Sequence, residues 1–191
     1  WNKMLTYKKS MIEDNTKGIA YLFKKNKITL INGWASFVDD NTITVDGKNF
    51  EADHFVIASG SEATSLNNVK FDEKVIVSST GALELKKIPE KMIVVGAGVI
   101  GLEMGSIYSR LGTEVTVIEF YDKVLNGMDH DISKNFKTIL KKQGFKFHLS
   151  CSVSTITKEK KGVKVTYEQK DSSNHNELSA DVVLVATGRK P

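Results

Sequence analysis

Cysteine is almost absent from this 191-residue chain, in which Cys151 is the single example. One cysteine cannot form an intrachain disulfide or a multi-cysteine metal site, and such usage fits a reducing compartment. Arginine is nearly as rare, since only Arg110 and Arg189 occur. Because arginine is the residue best suited to bidentate phosphate contacts, its scarcity argues against a nucleic-acid-binding protein.

Long hydrophobic runs are also missing. The longest, such as residues 182–186, fall far short of the roughly 20 residues that cross a bilayer. The formal charge is +4, but basic and acidic residues are interspersed without a block of one sign, so we expect neither a membrane nor a nucleic acid as partner. A hydrophobic content of 40% allows one large or two small globular domains. Trp1 is not a natural initiator, so we expect the natural chain to begin upstream.

The most informative stretch is residues 91–119, KMIVVGAGVIGLEMGSIYSRLGTEVTVIE. A short run of apolar, mostly β-branched residues at 92–95 predicts a strand buried in a parallel sheet. Gly96, Gly98 and Gly101 follow in a GxGxxG spacing, which permits a tight turn, close backbone approach to a pyrophosphate and close helix–strand packing. Residues 100–111 have helical spacing of apolar side chains, and the predicted helix ends at Gly112.

A second strand at 115–118 ends at Glu119. A carboxylate at this position can accept hydrogen bonds from both hydroxyls of an adenosine ribose and would repel a 2′-phosphate, so Glu119 favours NAD over NADP. A GxGxxG alone is a weak signal, but here it stands within a complete strand–turn–helix–strand–acid unit. The alternative is a glycine turn that only tightens a βα junction and binds no nucleotide.

The remaining elements follow from periodicity and turn residues. The pattern predicts an amphipathic helix over 1–25 and a small antiparallel meander, with strand candidates at 28–31, 35–38 and 42–45 and turns at 39–41 and 46–48. It also predicts a buried strand at 54–58, a short extended piece at 75–77 and a helical turn at 81–85. Further along it predicts a helix over 128–143, a third parallel strand at 145–149, a hairpin at 153–157 and 163–167, a polar loop at 171–176, and a buried strand at 181–186.

Both halves of the chain thus share one plan: helix, strand, antiparallel meander, then a strand that ends in Ala-Ser-Gly-Ser or Ala-Thr-Gly-Arg. Such similarity indicates one unit used twice. By the spacing of Gly96 and Gly188, the glycine turn of the first unit would lie about 32 residues upstream of Trp1. We therefore predict an α/β fold in three parts. Residues 1–70 form the C-terminal part of one nucleotide-binding domain, 71–90 a connector, and 91–191 a Rossmann-like domain with a parallel sheet, helices and a three-stranded antiparallel meander.

Three long stretches resemble the flavin-dependent pyridine-nucleotide disulfide oxidoreductases, and within that family the enzymes that act on dihydrolipoyl groups. They are VSSTGALELKKIPEKMIVVGAGVIGLEMGSIYSRLGTEVTVIEF at 77–120, ISKNFKTILKKQGFKF at 132–147 and ADVVLVATGRKP at 180–191. The resemblance covers essentially the whole chain, as a middle segment of a longer protein. It implies two cofactors, FAD and NAD, with the first domain binding FAD and the second NAD.

The resemblance also implies the residues at each cofactor. For NAD they are Gly96, Ala97, Gly98, Val99, Ile100, Gly101, Leu102, Glu103, Glu119, Val153 and Gly188. For FAD they are Ala35, Ser59, Gly60 and Ser61, where Ser59 replaces the usual threonine. From the residues alone, Glu103 could equally be a solvated helix residue, and Val153 reads better as part of a hairpin core.

The implied reaction is oxidation of protein-bound dihydrolipoyl groups through a redox disulfide and FAD, with hydride passing to NAD. The implied partners are a lipoyl-bearing acyltransferase of 2-oxo acid dehydrogenase complexes or the lipoyl protein of glycine cleavage, and a second copy in a homodimer. Bacterial cytoplasm and mitochondrial matrix both fit. Neither the redox cysteine pair nor the histidine base matches a residue here, so no catalytic residue and no metal ligand is predicted. A glutathione reductase-like enzyme, a transhydrogenase and a non-catalytic NAD-binding module remain alternatives.

Overall fold

The computed structural model describes residues 1–170, 172 and 175–191. The chain folds into two compact units, residues 1–60 and residues 61–191. The first unit holds one helix and one sheet, and the second holds the glycine turn. The break falls earlier in the chain than the predicted domain boundary at residue 70.

The first unit begins with a long helix, α1 (Asn2–Lys25), none of whose residues is buried. A meander follows, in which β1 (Ala35–Asp39), β2 (Thr42–Val45) and β3 (Lys48–Glu51) pair antiparallel in that order. Asp46 and Gly47 have φ of 49° and 76°, as a two-residue hairpin turn requires. Val45 is the only buried residue of this unit. The meander is therefore formed, but around a very small core.

Two strands predicted in this unit are absent. Residues 28–31 are irregular, and the meander's third strand is β3 instead. The buried strand predicted at 54–58 is also wrong, because these residues pair with no strand and Val56 and Ile57 are 92% and 76% exposed. A buried parallel strand needs hydrogen-bonded neighbours and covered faces, and no described residue of the first unit supplies them to 54–58.

The second unit contains ten strands and three helices among its described residues. In chain order they are β4 (Glu62–Ala63), β5 (Ile76–Val77), α2 (Ser79–Ala82), β6 (Lys91–Val95), α3 (Val99–Arg110), β7 (Glu114–Ile118), α4 (His130–Lys142), β8 (Lys146–His148), β9 (Cys151–Lys158), β10 (Val163–Gln169), β11 (His175–Ala180), β12 (Val182–Val185) and β13 (Arg189–Lys190). The central sheet is parallel in the order β5-β12-β6-β7-β8. Strands β11, β10 and β9 form an antiparallel meander, and β13 pairs with β4.

The central strands are buried on both faces because their side chains alternate between two cores. On one face, Ile93, Val95 and Ile118 join a cluster with residues of the antiparallel meander such as Val165 and Tyr167. The opposite face carries α3, whose Gly105 lies so close to Val115 and Phe145 that a Cβ there would come within 3.3 Å of each side chain. This close packing holds the middle of α3 against β7.

The segment predicted as a connector at 71–90 belongs to the second unit. Its strand β5 is hydrogen-bonded to β12, and Ser78 caps α2 by accepting a hydrogen bond from the Thr80 N–H. The β11 strand also differs from expectation, because a polar loop is predicted over 171–176 and β11 begins at His175. Residues 171, 173 and 174 of that loop lie outside the described residues. No helix among the described residues has the length and apolar character needed to cross a membrane.

Candidate functional site

The candidate site begins at the glycine turn between β6 and α3 of the second unit. Gly96 has φ of 102°, and a Cβ on it would lie 2.6 Å from the Ala186 carbonyl oxygen. A Cβ on Gly101 would lie 2.3 Å from the Gly96 carbonyl oxygen, so no side chain fits where the helix crosses the strand. Gly98, in contrast, would meet nothing within 4 Å. The first and third glycines serve packing, whereas the second leaves open space over the backbone.

The open space at Gly98 coincides with the uncapped end of α3. Gly98 is the N-cap residue, and no side chain makes a capping hydrogen bond there. The first N–H groups of a helix have no partner within the helix and carry the positive end of its dipole. An anion such as a pyrophosphate can therefore bind at this turn without displacing a protein side chain.

Glu119 lies beside the turn, at the C-terminal end of β7, and is 8% exposed. Its carboxylate accepts a hydrogen bond from the Ala97 N–H at Oε2 and one from the Tyr121 N–H at Oε1, at 2.9 Å. Its backbone is fixed on both sides, since its N–H donates to His148 and its carbonyl accepts from Cys151. Each carboxylate oxygen still has a second lone pair, so Glu119 can accept further hydrogen bonds from a ligand.

A cavity of about 490 Å³ opens in front of Glu119. Its lining combines the turn with residues of the flanking loops and the meander: Leu66, Val95, Gly96, Ala97, Gly98, Ile118, Glu119, Phe120, Tyr121, Asn126, Gly127, Cys151, Ser152, Val153, Ala186 and Thr187. A second cavity of about 250 Å³ is lined by Ala63, Ser79, Gly98, Val99, Ile100, Val185, Ala186, Thr187, Gly188 and Arg189. Both cavities include Gly98, Ala186 and Thr187, so they flank the start of α3 on two sides.

The structure brings most of the predicted NAD residues to these two cavities. Those lining the larger one are Gly96, Ala97, Gly98, Glu119 and Val153, and those lining the smaller one are Gly98, Val99, Ile100 and Gly188. Gly101 and Leu102 are buried behind the turn and line neither cavity. Glu103 is exposed on α3 and also lines neither. The arrangement suits an elongated ligand with its anionic middle at Gly98.

The residues predicted for FAD line neither of these two cavities. Ala35, Ser59 and Gly60 lie in the first unit and are exposed. Ser61 belongs to the second unit, where its Oγ accepts a hydrogen bond of 2.8 Å from the Arg189 Nε–H and its carbonyl accepts one from the same guanidinium. Their assignment to FAD stays a prediction.

Sequence reasoning missed several residues of the larger cavity, above all Phe120 and Tyr121. Their rings form an edge-to-face pair with centroids 5.4 Å apart and are 60% and 50% exposed. Two adjacent aromatic residues directly after the acid were a usable signal, because exposed aromatic rings commonly bind flat ligands. Cys151 lines the same cavity although it is only 5% exposed, and burial raises the pKa of its thiol. No sequence motif marked this cysteine.

Three features together define a dinucleotide-binding fold: a glycine turn, an acid at the end of the next strand, and a parallel sheet covered by an antiparallel meander. The sequence matches the family described as pyridine nucleotide-disulphide oxidoreductase over residues 3–191, and the chain belongs to this family. The resemblance drawn from the sequence and the predicted fold class are thereby confirmed.

Individual proteins and one solved structure that resemble the chain give more detail than the family match. The chain is 46% identical to dihydrolipoyl dehydrogenase 1, mitochondrial, of Arabidopsis thaliana, across 98% of this chain and 38% of that protein. It is 45% identical to the mitochondrial dihydrolipoyl dehydrogenase of Homo sapiens, across 100% of this chain and 39% of that protein. The structure resembles the HOCl-induced flavoprotein disulfide reductase RclA of Escherichia coli with a TM-score of 0.72 and 27% identity, covering 94% of this chain and 42% of that one. The chain thus spans about two fifths of the length of these proteins.

Proposed function

We propose that the second unit binds NAD as part of a dihydrolipoyl (dihydrolipoamide) dehydrogenase. Glu119 carries the proposal, because a nearly buried carboxylate held beside a glycine turn and facing a cavity selects an unsubstituted ribose diol. Glu119 and Val153 would hold the adenosine, the start of α3 the pyrophosphate, and Val99, Ile100 and Gly188 the nicotinamide end. When bound, NAD supplies the hydride-accepting ring.

The work of the chain itself is to position the coenzyme and exclude water from it. The apolar lining of the larger cavity, including Leu66, Ile118 and Val153, would cover the adenine. The uncapped start of α3 would neutralise the pyrophosphate charge. No described residue of the second unit is needed as an acid or base for this task.

For the longer protein we propose the full reaction of its relatives. It oxidises protein-bound dihydrolipoyl groups through a redox disulfide and FAD and passes hydride to NAD, with lipoyl-bearing proteins of 2-oxo acid dehydrogenase complexes or of glycine cleavage as partners. It acts as a homodimer. The names of both dihydrolipoyl dehydrogenases above assign them to mitochondria, which supports the mitochondrial matrix more than the bacterial cytoplasm. Glu119 argues against the NADP-linked reductases of the same family.

Calorimetric titration of the 191-residue chain with NADH tests the coenzyme assignment. We expect one site per chain and a preference for NADH over NADPH of about tenfold or more, because Glu119 faces the 2′-phosphate with like charge. Circular dichroism shows in parallel that the sample is folded. A folded chain that fails to bind NADH, or that binds NADPH as well as NADH, would contradict the proposal.

A further inference from the structure

A cavity with a different chemistry lies on another side of the second unit. Its volume is about 330 Å³, and it separates residues 122–124 from one face of α4. We call it the basic cleft, because four of its lining residues are Lys123, Lys134, Lys137 and Lys141. Its other lining residues are Asp122, Val124, His130, Ser133 and Thr138, none of which lines the cavity in front of Glu119.

The helix wall of the basic cleft follows from sequence spacing. Lys134, Lys137 and Lys141 are three and four residues apart, so their side chains lie on one face of α4. The helix is fixed at its start by Asp129, whose carboxylate accepts hydrogen bonds from the N–H groups of Asp131 and Ile132. The lysines therefore project from a backbone that is already ordered.

Packing also fixes the opposite wall. Val124 is fully buried, and the buried Ser133 of α4 donates a hydrogen bond to the Leu125 carbonyl at 3.3 Å. Leu125 in turn donates its N–H to the Ala97 carbonyl at 2.9 Å. These contacts tie residues 122–125 to α4 and to the glycine turn, so Lys123 is held near the three helix lysines.

The charge of the basic cleft is only partly compensated by the other residues that line it. Among the residues that the structure describes, none of its four ammonium groups forms an ion pair, and Asp122 is its single carboxylate. Four lysines against one aspartate leave a formal charge of +3 with His130 neutral. Like charges gathered around one cavity repel each other, and a bound polyvalent anion would relieve that repulsion.

A larger cleft elsewhere in the unit shows that lysine number alone is not the distinguishing feature. It measures about 910 Å³ and also has four lysines, Lys74, Lys86, Lys87 and Lys161. Its lining, however, includes the carboxylates of Glu73, Glu84 and Asp181, which leaves a formal charge of only +1. Of these two clefts, the basic cleft therefore favours an anion more strongly. The lysines of the larger cleft provide a matched control for substitutions in the basic cleft.

We propose that the basic cleft binds a small polyvalent anion of the polyphosphate type. Lysine ammonium groups offer three donors each and bind phosphate oxygens as point charges. The volume of the cleft suits a chain of a few phosphate groups and is smaller than the cavity assigned to the coenzyme. The inference concerns a site separate from the proposed NAD site and does not depend on it.

Isothermal titration with sodium tripolyphosphate at low ionic strength tests the site. Because the glycine turn is itself an anion site, each titration is run without and with saturating NADH. The cleft variant is Lys134→Gln/Lys137→Gln/Lys141→Gln, and the control is Lys86→Gln/Lys87→Gln/Lys161→Gln, which removes the same charge from exposed lysines elsewhere. Circular dichroism and NADH affinity report whether each variant retains its fold and its coenzyme site.

We expect the wild-type chain to bind tripolyphosphate with NADH present, and the cleft variant to bind it at least about tenfold more weakly. The control variant should stay within about twofold of wild type, since it differs only in overall charge. The proposal is overturned if wild type shows no binding at low salt, if NADH displaces the anion completely, or if both variants lose affinity equally. An absence of NADH binding would count against the coenzyme site alone, because the cleft shares no lining residue with it.

Discussion

At the residue scale, the three glycines of the turn differ in the space that surrounds them. A methyl group placed on each one would have different neighbours. On Gly101 it would meet the backbone of Gly96, and on Gly96 it would meet the backbone of Ala186. On Gly98 it would meet no protein atom within 4 Å. Since Gly98 also has an ordinary negative φ of −77°, alanine at that position fits the protein and occupies only ligand space.

We therefore predict opposite effects from two alanine substitutions. Gly98→Ala should leave the free energy of unfolding within about 0.5 kcal/mol of wild type yet weaken NADH binding by about tenfold or more, because its methyl group covers the pyrophosphate position. Gly101→Ala should lower the free energy of unfolding by about 2 kcal/mol or more through overpacking against backbone. Urea denaturation and NADH titration measure the two effects. Equal loss of stability in both variants would contradict the distinction.

Glu119 contributes to the structure of the turn in addition to its proposed role in coenzyme choice. Glu119→Ala removes the acceptor of the buried Ala97 N–H, so we expect the free energy of unfolding without coenzyme to fall by about 1–3 kcal/mol. Urea denaturation measures this. Glu103→Ala is the control, because its exposed carboxylate lines neither cavity, and it should change stability by less than about 0.5 kcal/mol.

A charge reversal at the same residue tests coenzyme choice. Glu119→Arg should shift the ratio of NADH to NADPH affinity toward NADPH, because the repulsion of a 2′-phosphate is replaced by attraction. The ratio, measured by titration of folded variant, is the relevant quantity, since absolute affinities also reflect the loosened turn. An unchanged ratio would show that another residue sets the preference.

The core of the site could be predicted from sequence because its signals are local. Strand, glycines, helix and acid follow within 29 residues, and each has a distinct physical reason. Leu66, Asn126 and Gly127 could not be placed, since loops bring them to the cavity and no periodicity describes a loop. The hydrogen bond from Ala97 to Glu119 could not be predicted from the sequence either, because it joins residues that are 22 positions apart.

At the scale of elements, the edge strand β5 depends on one carboxylate. Asp72 accepts hydrogen bonds from the N–H groups of Lys74, Val75 and Ile76 at 2.8–2.9 Å and forms an ion pair of 2.7 Å with Lys158. Partial burial by itself would raise the pKa of Asp72, but Lys158 and the three N–H groups together hold it well below its usual range. The carboxylate thus ties the entry to β5 to the end of β9.

This network predicts a specific pH dependence. The folded-state pKa of Asp72 is depressed, so its contribution to stability is complete above the unfolded pKa near 4 and is lost as the pH falls below that value. Asp72→Asn should lower the free energy of unfolding by about 1–2 kcal/mol at pH 7, and the difference from wild type should shrink steadily below pH 4. Urea denaturation across this range measures it.

The exposed ion pair of Glu114 with Lys146 provides the control. Both side chains are substantially exposed, so Glu114→Gln should cost less than about 1 kcal/mol at pH 7. If Asp72→Asn has no larger effect than Glu114→Gln, or if its effect persists unchanged below pH 3, Asp72 does not stabilise β5 as proposed.

Some elements are specified by their own sequence pattern and could be predicted. Others form only because a neighbouring strand pairs with them, and these were missed. Strands β6 and β12 are short apolar runs, β7 is β-branched after its first residue, and the meander strand β10 alternates apolar and polar side chains, so pattern alone predicts them. Strand β11 is mostly exposed and polar, and only its pairing with β10 makes it a strand. Residues 54–58 show the reverse case, since an apolar run remains irregular where no neighbouring strand pairs with it.

At the scale of the whole molecule, the two units differ greatly in core size. The second unit buries the parallel sheet and the meander against each other, whereas the first buries only Val45 and exposes Ile12, Ile19 and Leu22 along α1. Most of the stability of a protein helix comes from packing of its apolar face, and none of the residues of α1 is buried. The free energy of opening should therefore be very different in the two units.

Hydrogen–deuterium exchange should resolve this difference directly. We expect the amides of α1 to exchange within minutes under native conditions, and those of β6, β7 and β12 to resist exchange for hours. Limited proteolysis should first cut within residues 52–60, which are irregular and largely exposed. Equal protection of α1 and β6 would show that the first unit is held by packing that the described residues do not account for.

The hydrogen bonds of Glu119 have a consequence for the energetics of coenzyme recognition. Its carboxylate is withdrawn from water and oriented by Ala97 and Tyr121 before any ligand arrives, and two of its four lone-pair sites remain for a ribose diol. The free-energy cost of removing water from this carboxylate and of fixing its rotamer therefore belongs to folding and not to ligand binding. In the proposed function Glu119 is a preorganised acceptor, and coenzyme binding would avoid the entropic loss that a flexible surface glutamate imposes.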